Sequence, residues 1–292
     1  MSSTTQLLGS LLVASSLLGG SSGTRRAREY FCAFLAKLLN ACGFHHVRAV
    51  SDIRMRHVTT LLVAIASKSA RTQCNYLAHL RGVLRAAGNP QVLALLAVGN
   101  RALGIPAGSR LGTKRAMRDA EFSQLLKSID DPRLRAILLL ERAFGLRALE
   151  ALRAGPSLHG WLACLVSGAD SIEVVWGTKG GRPRKTRIHD RDRAIASLGC
   201  AIDVMGTGQR LVTGATLKAA LAWYRNKLYR LGVQGHRLRY AFACAAVDKY
   251  LSSGMSEAEA FARVAMDLGH GDGRGRWVKM VYAREMLAKK AS

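Results

Sequence analysis

Acidic residues are scarce in this chain of 292 residues, which carries 19 Asp and Glu against 44 Lys and Arg, a formal net charge of +25. The few acids are scattered along the chain, so no carboxylate cluster is in place for a two-metal phosphoryl transfer. So large a positive excess repels itself unless a polyanion offsets it, and nucleic acid is the usual polyanion. A basic membrane-surface protein is the alternative, but its Lys and Arg would concentrate on one amphipathic helix and here they are spread throughout.

Several common motifs are also missing. There is no Gly-x-x-x-x-Gly-Lys-Ser/Thr phosphate loop and no Gly-x-Gly-x-x-Gly after a strand, which excludes those two nucleotide-binding designs. None of the six cysteines forms a Cys-x-x-Cys pair, which favours reduced thiols in a cytosolic protein over a zinc site or a disulfide framework. Any chemistry on phosphodiesters must therefore draw on guanidinium, ammonium and imidazole groups.

No hydrophobic run is long enough to span a bilayer. The apolar stretch at residues 6–18 is short and interrupted by serines, and no basic residue precedes it, unlike a signal peptide. We expect residues 1–24 to form an amino-terminal helix or arm, and we expect no membrane partner.

Helical periodicity dominates the rest of the chain. Residues 25–103 read as an all-helical module with cationic outer faces, in which Arg71, Arg81 and Arg85 cannot all share the buried apolar stripe of their helix. The glycine-rich residues 104–113 read as a linker, and residues 114–292 as a second domain. Helices are predicted from residue 119 and from residue 132, and a capping box at Ser256 and Glu259 predicts another that stops at Gly269.

One place reads as β structure. Residues 171–176 are β-branched and aromatic, and residues 185–188 can pair with them across a Gly180-Gly181 turn. The predicted fold is thus mainly α: an all-α amino-terminal domain followed by an α-rich domain with a small antiparallel β-sheet.

The groups that could cleave a phosphodiester without metal occur in a distinctive order. Such cleavage needs a nucleophile, cations on the two non-bridging oxygens and an acid for the leaving oxygen. The series along the chain is Arg147, Lys179, His236 with Arg239, His270 and Tyr282. Taken singly, each has an ordinary structural explanation: Arg147 could pair with Glu150 one turn on, and Tyr282 could be a core aromatic. The complete order favours an active site.

This series resembles the catalytic domain of the tyrosine recombinases, the phage-integrase family. The matching segments are Gly145-Leu146-Arg147 with Glu150, Gly177-Thr178-Lys179-Gly180-Gly181, His236-Arg237-Leu238-Arg239, Leu268-Gly269-His270 and Tyr282. Residues 25–103 resemble the family's helical core-binding domain, and the closest likeness is to integrases of integrative mobile elements.

The resemblance implies a reaction and a role for each residue. Tyr282 would attack DNA to give a 3′-phosphotyrosyl link, which a 5′ hydroxyl later reverses, so neither metal nor ATP is needed. Arg147 and Arg239 would hold the phosphate, and Lys179, with Lys185 as its rival, would protonate the leaving oxygen. His236 would assist proton transfer from Tyr282. His270 would donate to the phosphate, and Glu150 would orient Arg147.

The resemblance also implies partners. They are double-stranded DNA at a recombination site, other copies of the chain in a homotetramer on synapsed DNA, and an accessory directionality factor. The predicted DNA contacts are Arg71, Arg81, Arg85, Arg182 and Arg184. The expected location is the cytoplasm, in association with the nucleoid.

Two alternatives share these motifs: a non-catalytic DNA-binding relative and a relaxing enzyme of the type IB topoisomerase kind. Three departures from the family pattern bear on them. Arg237 and Tyr240 replace a small residue and a second histidine, and the glycine-bearing interval from His270 to Tyr282 is a few residues longer than usual.

Overall fold

The computed structural model describes residues 2–109, 111–112, 114–212, 214 and 216–283. The chain divides into two compact units, Met1–Ser109 and Arg110–Ser292, each with its own hydrophobic core. Across the described residues, no helix combines the length and the apolar character needed to cross a membrane.

The first unit is entirely helical in its described residues. Its helices are α1 (Ser3–Ser16), α2 (Ser22–Ala41), α3 (Met55–Ile65), α4 (Ala70–Ala86) and α5 (Pro90–Leu95), with 3-10 turns at Val50–Asp52 and Leu96–Val98. Serine side chains cap α1, α2 and α4 by accepting a backbone N–H of the first turn, which supplies partners that the helix itself lacks.

The apolar amino-terminal segment is helix α1, which contributes Leu7 and Leu11 to the core of this unit. Arg28 of α2 is buried beneath it and ties the connection between the two helices. Its Nε donates to Ser15 Oγ at 2.9 Å and its Nη2 donates to the Gly19 carbonyl at 2.7 Å. The burial of one apolar stripe of α1 explains why a serine-interrupted run forms a stable helix here.

The second unit contains nine helices and one hairpin in its described part. They are α6 (Asp119–Lys127), α7 (Pro132–Phe144), α8 (Ala148–Leu152), α9 (Leu158–Val166), β1 (Ser171–Val174), β2 (Arg184–Arg187), α10 (Arg191–Met205), α11 (Leu217–Arg230), α12 (His236–Ser252), α13 (Glu257–Asp267) and α14 (Gly275–Val281). Short 3-10 turns occur at Gly155–Ser157 and Lys179–Gly181.

Helix α7 is buried along most of its length and lies at the centre of this unit. It ends at Gly145, whose φ of 59° is left-handed and suits glycine. A side chain at this position would also run into the ring of Phe242 on α12. The glycine therefore lets α12 approach closely while the chain turns to present Arg147.

Strands β1 and β2 pair antiparallel, with Ile172 opposite Thr186 and Val174 opposite Arg184. The two-stranded sheet and the surrounding helices confirm the predicted mainly α fold with a small antiparallel sheet. The predicted capping box is present as well: Ser256 accepts from the Glu259 N–H at the start of α13, and the chain leaves that helix through Gly269 with φ 65°.

Candidate active site

Arg147 stands at the amino end of α8, where Glu150 holds it twice. Its backbone N–H donates to Glu150 Oε2 at 2.8 Å and its Nη1 donates to Oε1 at 2.5 Å. Its Nη2 reaches the Leu268 carbonyl at 3.3 Å, across 121 positions of sequence. Glu150 is fully buried, whereas the Arg147 side chain keeps 22% of its surface exposed. The guanidinium is thus held in place by Glu150 and the Leu268 carbonyl, while part of its surface stays open to solvent.

Arg239 projects from the first turns of α12 and is buried. It donates to the carbonyls of Gly145 and Leu268, and its Nε donates to the hydroxyl of Tyr282 at 3.4 Å. Burial, followed by the charge of Arg184, lowers the pKa of Arg239 to about 10. The group is still a cation at neutral pH, so the nucleophile candidate lies against a positive charge.

Tyr282 meets two of the predicted residues at its hydroxyl. Besides Arg239, Nε2 of His270 lies 3.3 Å from the hydroxyl oxygen. The ring is held by Tyr240 and Trp277, whose centroids lie 4.5 and 5.3 Å from its own. Burial, and then the charges of Arg239 and Arg147, lower the pKa of His270 to about 3. His270 is therefore neutral at physiological pH, with one ring nitrogen that carries a proton and one that accepts a hydrogen bond.

The long interval between His270 and Tyr282 is folded into a turn and helix α14. Gly271 and Gly273 have φ of 83° and 73°, values that favour glycine. Gly275 begins α14 against the backbone of α13, where an added Cβ would lie 3.0 Å from the Ala262 nitrogen. These glycines fold the extra length into a turn, and Tyr282 contacts Arg239 of its own chain.

His236 is the first residue of α12 and contacts Tyr282 through its ring, with 6.0 Å between the centroids. Burial, and then the charges of Arg239 and Lys114, lower its pKa to about 4. Both predicted histidines are therefore neutral bases, but His270 is the one whose nitrogen lies within hydrogen-bonding distance of the tyrosine hydroxyl.

Lys179 begins the exposed turn of the hairpin, where Gly180 and Gly181 have φ of 76° and 72°. At the base of the hairpin, a side chain on Gly177 would collide with the Leu149 carbonyl, so the hairpin packs directly on the backbone of α8. This packing sets Lys179 on the rim of the cleft that Arg147 also lines.

That cleft has a volume of about 1320 Å³ and collects all six predicted catalytic residues except the buried Arg239. Eight basic side chains and two acidic ones line it, so its field attracts a polyanion. Lys185, the rival of Lys179, and the exposed Arg182 are among them. Within the part of the chain that the structure describes, no three His, Cys, Asp or Glu side chains come together as metal ligands.

Arg184, one of the predicted DNA contacts, is instead turned into the protein. It is 7% exposed, and its Nη2 lies 2.9 Å from Glu150 Oε2. The observed hairpin register accounts for this placement. Ile172 and Val174 alternate inward on β1, and the hairpin register sets Thr186 and Arg184 opposite them on the same face.

The three arginines of α4 also differ from one another. Arg71 and Arg85 are exposed, as a DNA-contacting role requires. Arg81 is half-buried: its Nη1 donates to Asn100 Oδ1 at 2.7 Å and its Nη2 to the Leu96 carbonyl at 2.9 Å. The guanidinium of Arg81 therefore ties α4 to the segment that follows α5.

One buried pair near the site was not predicted from any pattern in the sequence. The Tyr224 hydroxyl lies 2.8 Å from both carboxylate oxygens of Glu141, beneath the start of α12. A side chain on Gly235 would collide with that hydroxyl, so α12 begins directly on the pair. Burial raises the pKa of Glu141 to about 8, against the lowering effects of Tyr224 and Arg239. Its carboxyl group is therefore largely protonated at neutral pH.

Two protein-family models match the chain. One, described as Integrase, matches residues 104–245, and one, described as Phage integrase, N-terminal, matches residues 5–93. Together they cover most of the chain, although the Integrase match ends before His270 and Tyr282. No curated protein matches.

Two solved structures are similar over nearly the whole length. The crystal structure of XerA recombinase is 15% identical, with 99% of each chain covered and a TM-score of 0.40. The integrase from mycobacterium phage Brujita is 18% identical, with 93% of this chain and 87% of that chain covered and a TM-score of 0.38.

Proposed function

This chain belongs to the phage-integrase, or tyrosine recombinase, family, and on that premise we propose that it is a site-specific DNA recombinase. It cleaves and rejoins DNA through a 3′-phosphotyrosyl intermediate and uses neither metal nor ATP. The observation that carries the proposal is the pair of contacts at the Tyr282 hydroxyl, 3.3 Å from His270 and 3.4 Å from Arg239.

In the first step the Tyr282 oxygen attacks the scissile phosphorus. The new bond joins the tyrosine oxygen to phosphorus, and the bond from phosphorus to the 5′ oxygen breaks. The tyrosine proton passes to a histidine, and Lys179 gives a proton to the departing 5′ oxygen. A 5′ hydroxyl from another strand reverses these transfers and releases Tyr282, so the phosphodiester energy is conserved.

Two arginines offset the charge that develops on the phosphate. Arg147 is open to the cleft and presents a planar fork that can donate two hydrogen bonds to a phosphate. Arg239 lies against the nucleophile, so its positive charge is next to the oxygen that attacks the phosphorus. Glu150 fixes Arg147 and takes no part in proton transfer.

The contacts favour His270 as the group that accepts the proton of Tyr282, a task that the family resemblance gives to His236. A tyrosine hydroxyl has an ordinary pKa of about 10, so a neutral base in direct contact assists its ionisation. His236, at the start of α12 on the cleft wall, then takes the remaining role of donor toward the phosphate.

The wider assignments belong to the same proposal. Residues 25–103 form the core-binding domain, which contacts DNA through Arg71 and Arg85, and residues 104–113 link it to the catalytic domain of residues 114–292. Recombination takes place in a homotetramer on synapsed double-stranded DNA, in the cytoplasm at the nucleoid, with an accessory directionality factor setting its direction.

A suicide DNA substrate tests the nucleophile. A nick near the cleavage site lets the short fragment that carries the free 5′ hydroxyl diffuse away after cleavage. The covalent adduct therefore accumulates, and mass spectrometry identifies the modified residue. We expect the adduct on Tyr282, none with Tyr282→Phe, and retention of the adduct with Tyr240→Phe, which removes a hydroxyl from the adjacent ring. An adduct that survives Tyr282→Phe contradicts the assignment.

The same assay separates the alternatives. A non-catalytic relative would bind the DNA and give no adduct with the wild-type chain. A topoisomerase-like enzyme would give the adduct and relax supercoiled plasmid without a preferred site. A recombinase gives the adduct at one site and joins strands from two DNA molecules.

A further inference from the structure

Arg184 joins three segments that carry the proposed catalytic groups. From strand β2 its Nη1 donates to Thr186 Oγ1 and to the Asp267 carbonyl at the end of α13. Its Nη2 donates to Glu150 Oε2 at 2.9 Å and to the Gly145 carbonyl at 3.4 Å. The Gly145 and Glu150 contacts border Arg147, and the Asp267 contact lies just before His270.

The stem of Arg184 interlocks with the segment that presents His270. A Cβ added to Gly269 would lie 2.5 Å from Cδ of Arg184, and the φ of 65° at Gly269 also favours glycine. The glycine of Leu268-Gly269-His270 thus leaves the space that the Arg184 side chain fills. This fit links the position of His270 to strand β2.

Charge gives Arg184 a second effect. The buried Glu150 carboxylate lies 2.5 Å from Arg147 Nη1, 2.9 Å from Arg184 Nη2 and 3.8 Å from Arg239 Nη1. Burial works to raise the pKa of Glu150, but the charge and hydrogen bond of Arg184 and the charge of Arg239 outweigh it, so the net pKa is lowered. One carboxylate is therefore shared among three guanidinium groups.

We propose that Arg184 is a positioning residue: it neutralises Glu150 and locks the Gly145–Arg147 corner to the His270 segment, so that Arg147 and Arg239 keep their charge for the phosphate. This inference rests on the proposed function. Arg184 itself makes no contact with DNA. Without Arg184, the negative charge of Glu150 is offset by Arg147 and Arg239 alone. Less of their positive charge then remains to stabilise the negative charge of the transition state.

The test compares single-turnover cleavage of two substrates, one with an ordinary scissile phosphate and one with a methylphosphonate there. The methylphosphonate lacks one anionic oxygen, so it depends less on the arginines. We expect Arg184→Met to slow cleavage of the ordinary phosphate by about 100-fold with little change in DNA affinity. On the methylphosphonate we expect the deficit to shrink to about tenfold or less.

A compensating variant checks the charge relationship. Glu150→Gln added to Arg184→Met removes the uncompensated buried carboxylate, and we expect it to recover about tenfold of the rate on the ordinary phosphate. Arg142→Met is the matched control, because it also removes a buried arginine, one that pairs with Asp119 at 2.9 Å outside the cleft. Arg142→Met should lower the melting temperature but leave the cleavage rate unchanged at temperatures at which the variant is folded.

Gly269→Ala and Arg184→Lys carry the test if Arg184→Met does not fold. Gly269→Ala displaces Arg184 without removing its charge, and Arg184→Lys keeps a charge that cannot reach all four acceptors; both should show the same recovery on the methylphosphonate.

Three results overturn the proposal. They are a wild-type rate in Arg184→Met, a loss of DNA affinity with a shallower salt dependence, and an equal deficit on both substrates. Failure of the wild-type chain to form an adduct at Tyr282 would instead overturn the proposed function, so the two failures are distinguishable.

Discussion

The hydroxyl of Tyr282 lies 3.3 Å from Nε2 of His270, although twelve positions separate the two residues. The intervening glycines at 271, 273 and 275 fold this interval so that the Tyr282 hydroxyl reaches both His270 and Arg239. The interval is longer than the family pattern suggests, and the structure accommodates the difference in the turn before α14. A neutral imidazole is therefore in direct contact with the proposed nucleophile.

Replacing His270 by glutamine should impair cleavage more than replacing His236. Glutamine can form a hydrogen bond to Tyr282 but cannot accept its proton, so His270→Gln should reduce the single-turnover rate by about 10²- to 10⁴-fold. His236→Gln is the matched comparison, since that ring meets Tyr282 only at 6.0 Å between centroids. A larger loss for His236→Gln would return the proton-accepting role to His236.

The pH dependence of cleavage should show no histidine step near neutrality. The pKa values of His270 and His236 are lowered to about 3 and about 4, so both rings stay neutral, and able to accept protons, far below the ordinary value of 6.5. The second-order rate constant, which reports the free enzyme, should be nearly level from about pH 7.5 to about pH 5. A tenfold fall per pH unit beginning at about pH 6.5 would contradict this.

The lowered pKa values also have a consequence for stability in acid. Below the ordinary value of 6.5 the unfolded chain binds protons at these histidines while the folded chain does not, so their contribution to stability falls as the pH falls toward the folded values. The pH profile of cleavage should therefore be measured at a temperature at which circular dichroism shows the protein folded at every pH.

Glu141→Gln should stabilise the protein increasingly as the pH rises. The pKa of Glu141 is raised to about 8 from an ordinary 4.5, so its stabilising contribution is complete below the lower value and is lost as the pH rises to the upper one. The loss is at most about 1.4 kcal/mol per pH unit. Glutamine does not ionise and still accepts a hydrogen bond from Tyr224.

Urea unfolding at two pH values measures this effect. The difference in free energy of unfolding between Glu141→Gln and the wild type should be larger in favour of the variant at about pH 8 than at about pH 5. A difference independent of pH would show that the carboxyl group does not titrate abnormally in the folded state.

Arg85 and Arg81, on the same helix, should behave differently when replaced by alanine. Arg85 is exposed, so Arg85→Ala should weaken DNA binding and make the plot of log affinity against log salt shallower by about 1, with no change in melting temperature. Arg81→Ala breaks partly buried hydrogen bonds to Leu96 and Asn100 and should lower stability by about 1–3 kcal/mol. An unchanged salt slope for Arg85→Ala would exclude it as a phosphate contact.

Much of the fold could be read from local pattern. Buried positions of α2 and α4 recur at helical spacing, and the capping box at Ser256 marks the start of α13, because these features depend on neighbours within one or two turns. Tyr30 is adjacent to the buried Phe31 on α2 yet is 65% exposed, because which face of the helix meets the core is set by the elements that pack against it.

The sequence by itself determined which reactive groups are available, their order along the chain, and the mainly helical character of both units. Only the tertiary structure decided which histidine meets Tyr282 and that Arg184 serves the protein interior. Those choices depend on partners far apart in sequence: Arg184 meets Glu150 34 positions away and Asp267 83 positions away. Local periodicity cannot specify such contacts, because they form only after β2, α8 and α13 have packed together around the buried carboxylate of Glu150.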